Sequence, residues 1–155
     1  MKNILVSACL LGISCRYDGN EKANEEVLAL LEREDIQLIP ICPEQLGGMQ
    51  TPRLPSERID DKVMNNAGED VTEYFKRGAE QALKLAKLYQ CKCAILKERS
   101  PSCGKDVIYD GTFSGGFKTG NGMTAQLFLE NGIEIFGETQ INEAIYSNRN
   151  ELCSM

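Results

Sequence analysis

No histidine occurs anywhere in this chain of 155 residues, which removes the most usual general base and the commonest zinc ligand at once. Ser-His and Cys-His catalysis is excluded, and any metal must be held by thiolates, with carboxylates as the remaining choice. Positive charge is also short: 17 Lys and Arg stand against 23 Asp and Glu, a formal charge of -6. A general grip on nucleic acid or on an anionic membrane depends on basic patches that displace counterions, so the balance argues against both and favours a small-molecule partner. No apolar run nears the ~20 residues that span a bilayer. Met1 to Ser7 runs directly into a motif and not into a cleavable leader. These absences predict a cytoplasmic protein without membrane spans. With 42% hydrophobic residues at the commonest domain size, 1–155 is expected to be a single domain with a real core.

What is plentiful is cysteine. Seven thiols, an odd number, are many for a chain expected in a reducing compartment, and they point to metal binding or catalysis more than to crosslinks. The motif Cys-x-x-Cys is absent, which counts against a thiol-redox protein working through Cys9 and Cys15.

Strand and helix periods alternate along the chain. Asn3-Ile4-Leu5-Val6-Ser7-Ala8 reads as a strand buried on both faces. Glu25–Glu32, capped by Asn24, reads as a helix, and Ile36–Cys42 as a second strand. Pro40 lacks an amide hydrogen, which consigns that strand to an edge or a bulge. From Pro43 to Gly68, broken by Gly47-Gly48, Pro52 and Pro55, no period persists, and a long loop or lid is expected. Apolar and small residues from Val71 to Ala86 fall at helical steps behind a capping-box-like Asp70 and Glu73, and the small face Gly78-Ala79-Ala82 would let that helix lie close on a sheet. Cys91–Lys97 reads as a third strand, the glycine-rich stretch from Tyr109 to Gly122 as loop, and Thr124–Glu130 as a helix. A fourth strand, Ile133–Phe136, and a last helix, Ile141–Ser147, follow. The expectation is a single-domain, three-layer α/β fold with a mainly parallel sheet of about four strands.

Cys9, Cys42 and Cys103 each stand beside turn residues at or just past the end of a predicted strand, where open parallel sheets bind ligands. Three thiols without histidine suit a soft metal centre, an iron–sulfur cluster above all. Three protein ligands on four irons would leave one iron open, like the vacant position of catalytic zinc sites. The bland reading is that each is a small buried hydrophobe. Nearby amides are expected to lower these thiol pKa values. Cys91 and Cys93 fall in the expected third strand and read as packing residues on opposite faces, not as joint ligands. Cys15 is open as a fourth ligand or redox partner, and Cys153 reads as incidental.

Ser7-Ala8-Cys9-Leu10-Leu11-Gly12 with Arg16-Tyr17-Asp18-Gly19, then Cys42-Pro43-Glu44 with Gly47-Gly48 and Pro52-Arg53, then Ser100-Pro101-Ser102-Cys103-Gly104, resemble the signatures of the DUF523 family. Asp70-Val71-Thr72 and Tyr109-Asp110-Gly111-Thr112-Phe113 resemble further blocks of it, so the likeness runs nearly end to end. Described members are thiouracil desulfurases that remove sulfur from thio-nucleobases with a [4Fe-4S] cluster. The resemblance implies Cys9, Cys42 and Cys103 as cluster ligands, an open iron for the substrate sulfur, and Glu44 and Ser100 as acid/base candidates, with Ser102 the competing serine. Against the catalytic reading of Glu44 stands a loop-fixing carboxylate, and against that of the serines a turn around Pro101. Arg16 and Arg53 are candidates for clamping an anion or stacking on a base, or for pairing with carboxylates; Tyr17, Tyr109 and Phe113 for stacking on a ring, or for anchoring loops. The rival class is a non-catalytic iron–sulfur or zinc protein that senses metal or sulfur, favoured if no pocket adjoins the open metal position.

Overall fold

A computed structural model describes residues 1–147; Cys153 lies outside the described residues. Strand β1, Lys2–Ser7, is followed by a 3-10 turn, Ala8–Leu11, helix α1, Glu25–Ala29, a second 3-10 turn, Leu30–Glu32, and strand β2, Ile36–Ile41. Helix α2, Pro43–Leu46, then leads to strands β3, Ser56–Ile59, and β4, Lys62–Asn65. The long helix α3, Thr72–Leu88, precedes β5, Cys93–Ile95, then β6, Val107–Tyr109, and β7, Phe117–Thr119. Helix α4, Met123–Glu130, strand β8, Glu134–Phe136, and helix α5, Ile141–Ile145, complete the described order.

The main sheet runs β2-β1-β5-β8 with every pair parallel, and β1 lies inside it. Ile4, Leu5 and Val6 are wholly buried, as a strand covered on both faces must be. Alternation sends Ile4 and Val6 with Cys93 and Ile95 against Val27 of α1 and the apolar side of α5, while Leu5 and Ala94 face Ala82 and Ala86 of α3 and Phe128 of α4. Helices thus cover both faces, and the fold is the expected three-layer α/β arrangement with a four-stranded parallel sheet. Pro40 sits in the edge strand β2 and is exposed, where its missing donor breaks no ladder. Asn24 caps α1 as expected, its side chain accepting the Glu26 and Val27 amides at 3.0 and 3.1 Å.

Two expected loops are structured. The stretch from Pro43 to Gly68 holds α2 and the antiparallel β3–β4 pair, closed by Asp60 and Asp61 with Asp60 at φ 54°. Strands of four residues are too short for a period to stand out, and the turn uses Asp where glycine usually signals a hairpin. The glycine-rich stretch from Tyr109 to Gly122 similarly pairs β6 with β7. At the start of α3, Val71 and not Asp70 occupies the cap position; Asp70 accepts the Thr72 amide at 2.9 Å from one residue earlier.

The close face of α3 is turned partly to α2 instead of the sheet. A Cβ on Gly78 would collide with the Pro43 carbonyl, and a Cβ on Gly47 with that of Tyr74, so two glycines let the backbones of α2 and α3 touch. That approach sets the position of Glu44, which lies in the first turn of α2. Gly78→Ala is expected to lower stability by about 1–3 kcal/mol through this clash, whereas Lys84→Ala on the solvent side should stay within about 0.5 kcal/mol; urea unfolding of the two variants compares them.

Candidate active site

Three chain segments reach one end of the sheet. β1 finishes at Ser7, and the 3-10 turn after it carries Cys9 before Gly12, at φ 94°, stops the turn in a conformation open to glycine. β2 finishes at Ile41, so Cys42 becomes the N-terminal cap position of α2, with Pro43 and Glu44 in its first turn. After β5, the tight turn from Ser100 to Gly104 carries Cys103; a Cβ on Gly104 would lie 2.9 Å from the Arg99 amide nitrogen and the Ser100 carbonyl oxygen. Cys9 and Cys15 belong to the packing on one face of the sheet and Cys103 to the other, and the site opens where the layers meet.

A cavity of about 290 Å³ lies there. Cys9, Cys42, Cys103, Glu44 and Ser100 all line it, as do Cys15, Arg16, Tyr17, Arg53, Ser102 and Tyr109. Phe113 is not among its lining residues; its amide donates to Glu57 at 3.1 Å, and the Gly111 amide does so at 2.9 Å. Cys91 and Cys93 are split between the two faces of the sheet and neither lines the cavity; residues two apart in a strand share a face, and the split arises because Cys91 precedes β5, which starts at Cys93. Ser7, Ser56, Glu57, Lys97 and Glu98 are polar lining residues that sequence reasoning did not single out. Ser7 carried a signal, being the last residue of a buried strand in front of a motif cysteine; Glu57 sits in a stretch with no period and carried none.

Glu44 is held from two sides. Its Oε1 accepts the Arg53 Nε at 2.9 Å, and its Oε2 accepts the Ser102 hydroxyl at 2.9 Å. Arg53 also donates to the Cys15 carbonyl at 2.9 Å, the Gln50 carbonyl at 3.1 Å and the Thr51 hydroxyl at 2.9 Å. Its guanidinium is therefore occupied in binding loops together, which settles the earlier choice in favour of pairing. Arg16 stands 3.8 Å from Asp18, a looser pair near the surface. Tyr109 packs against Phe117 with ring centroids 5.1 Å apart.

The serines form a directed chain. Ser100 Oγ accepts the amides of Ser102 at 3.1 Å and Cys103 at 2.7 Å. A hydroxyl has one proton and two lone pairs, so with both pairs taken the Ser100 proton points to Ser102 Oγ, 3.0 Å away. Ser102 in turn donates to Glu44. Ser102 is thus the partner of the carboxylate, and Ser100 stands one step behind it.

The thiols depart from the expected behaviour. Burial pushes Cys103 up to about 12, although the Ser7 and Ser102 hydroxyls pull the other way. Contact with the Cys15 thiol, followed by burial, drives Cys42 up as well. Cys15 stands at about 11: its bond with Cys42 lowers it, but its bond with Cys9 and its burial outweigh that. Dehydration of the charged form outweighs the nearby amides. A bound metal cation reverses this logic, since a coordinating thiol gives up its proton outright. Among the described residues no three His, Cys, Asp or Glu side chains are placed to hold one metal ion.

Fold and site together define a class, the α/β proteins that present a thiol-lined cavity with a carboxylate at the carboxyl ends of a parallel sheet. Within it, the chain belongs to the 2-thiouracil desulfurase family, whose model matches residues 4–140. The uncharacterized protein YbbK of Bacillus subtilis (strain 168) is 42% identical over 152 residues, covering 92% of this chain and 99% of that protein. A solved structure of the [4Fe-4S]-dependent thiouracil desulfidase TudS superposes with a TM-score of 0.89 at 42% identity, covering 96% of this chain and 98% of the other.

A thiol whose pKa is raised on folding lends stability while protonated. For Cys103 this contribution is complete below its ordinary value of 9.0 and is lost as pH rises through about 12. Cluster-free protein is expected to lose stability to urea over that window, and Cys103→Ala should flatten the loss; an unchanged profile in the variant would contradict the assignment.

Proposed function

We propose that this protein is a [4Fe-4S]-dependent desulfurase that exchanges the sulfur of a thio-nucleobase such as 2-thiouracil for the oxygen of water. The observation that carries the reading is the convergence of Cys9, Cys42 and Cys103 on one cavity beside the Glu44–Ser102–Ser100 chain. The thiols fit the group: the sulfurs of buried Cys9 and Cys103, from opposite faces of the sheet, and of half-buried Cys42 line a space of about 290 Å³, and no histidine competes for metal. When bound, the cluster supplies an open iron, a Lewis acid for the thiocarbonyl sulfur.

This chain's residues supply holding, orientation and proton transfer. Cys9, Cys42 and Cys103 hold the cluster, and Cys15 stays outside the ligand set. Water adds to the thiocarbonyl carbon, the C–S bond breaks, and a carbonyl and sulfide leave with no change in electron count. The water's proton goes to Glu44, whose Oε1 accepts the Arg53 Nε at 2.9 Å. Ser100 and Ser102 carry a proton along their 3.0 Å contact toward or from that carboxylate. A small uncharged base as the substrate agrees with the cavity's cations being engaged, Arg53 by Glu44, Lys97 by Glu138 at 2.7 Å and, more loosely, Arg16 by Asp18 at 3.8 Å. A formal charge of -6 makes nucleic acid a poor partner, and no helix among the described residues is long and apolar enough to cross a membrane, in keeping with work in the cytoplasm by one domain over 1–155.

Reconstitution with iron and sulfide without oxygen is the direct test. Alanine at Cys9, Cys42 or Cys103 should abolish the cluster absorption and iron content, while Cys15→Ala should retain both; a cluster that survives any of the first three changes overturns the ligand set. With the cluster loaded, Glu44→Gln and Ser100→Ala should each lower kcat for 2-thiouracil by about 10²–10⁴ without bleaching the cluster. Full turnover in either variant removes that residue from the mechanism.

A further inference from the structure

Ser7 lies at the cavity but takes no part in the proton chain of Glu44. It is buried to 3% exposure, closes β1, and pairs in register with Ile41 of β2, the residue before Cys42. Its Oγ accepts the Lys97 amide at 2.9 Å and lies 3.4 Å from Cys103 Sγ. The amide takes a lone pair and leaves the hydroxyl proton free to point at the sulfur. Ser102 Oγ also lies 3.7 Å from that sulfur, but its single proton is directed to Glu44 at the far better distance of 2.9 Å. Ser7 is therefore the hydroxyl dedicated to Cys103. Its backbone belongs to the inner strand of the sheet and its oxygen is pinned by the chain leaving β5, so this donor is rigid where a surface serine would rotate away.

We infer that Ser7 is a positioning and tuning residue for the cluster: its hydroxyl fixes the Cys103 sulfur and withdraws charge from that thiolate, setting the reduction potential of the bound cluster. The inference rests on the ligand reading of Cys103 given above. Hydrogen bonds to cluster sulfurs are one of the terms that set cluster potential. The reduced cluster carries one more negative charge, part of it on its thiolates, so a donor aimed at a thiolate stabilises the reduced form more and raises the potential. The same withdrawal leaves the irons poorer in electrons and more Lewis-acidic. Cys42 differs: in the cluster-free, protonated protein its thiol donates to the Cys15 carbonyl at 3.7 Å.

The experiment compares wild type, Ser7→Ala and Ser7→Thr after anaerobic reconstitution, with iron content first and then a mediated reductive titration followed by absorption and electron paramagnetic resonance. Ser7→Ala should bind the same iron with its midpoint shifted to a more negative potential and with altered resonance lineshape, and Ser7→Thr, which keeps the hydroxyl, should restore the wild-type midpoint. An unshifted midpoint in a fully loaded Ser7→Ala protein, or a shift that Ser7→Thr fails to reverse, overturns the role of Ser7. Failure of wild type to load a cluster overturns the ligand reading instead, so the two failures are distinct. If Ser7→Ala does not fold by circular dichroism, Ser7→Cys replaces it: the thiol keeps an acceptor for the Lys97 amide but donates weakly, and the same negative shift is expected or the inference falls.

Discussion

Everything at the site depends on parallel pairing of β1 between β2 and β5. Parallel strands finish at the same edge, so the residues that follow Ser7, Ile41 and Ile95 emerge side by side although they are far apart in sequence. Ile4, Leu5 and Val6 have no exposure at all, which makes β1 costly to slip: a one-residue shift would exchange the two apolar faces. The register that buries the core is also the register that places Ser7 opposite Ile41 and hence beside the turn of Cys42.

Upon this frame the site is built from buried polar groups that satisfy one another. Arg53 spends its guanidinium on a carboxylate, two carbonyls and a hydroxyl, tying the Cys15 loop and the Thr51 loop to α2. Removing one partner of such a buried pair leaves an uncompensated charge, which typically costs about 3–5 kcal/mol. The touch of Gly47 and Gly78 on the other side of α2 completes the hold on Glu44. A carboxylate fixed in this way, with a serine hydroxyl already aimed at it, is suited to taking a proton without rearrangement.

The thiols show the opposite economy. Buried without a cation, Cys103 holds its proton, as its elevated pKa shows, and under the proposed function a soft metal group would take that proton away. Histidine would have offered a neutral nitrogen ligand and a second proton carrier in the same space. Its absence leaves sulfur as the soft ligand in the chain and, under the proposed function, Glu44 and two serines as the groups for proton work.

Much of this was legible in the residues. The apolar run of β1, the helical period from Val71, the Pro40 edge strand and the placement of Cys9, Cys42 and Cys103 after strands determined the α/β class and the end of the sheet where the site lies, because periodicity and turn chemistry are local properties. Short strands such as Ser56–Ile59 and Val107–Tyr109 were not legible, since three or four residues carry no period and their stability comes from partners. The elevated thiol pKa values and the pairing of Arg53 were equally hidden: amides near a cysteine say nothing of how dry its surroundings are, and a guanidinium shows its partners only once distant loops meet. The sequence by itself determined which chemical groups exist and which strand ends deliver them. Only the tertiary structure decided that Ser102 and not Ser100 touches Glu44, and that Ser7 faces Cys103, because those distances are set by the packing of strands and helices far apart in the chain.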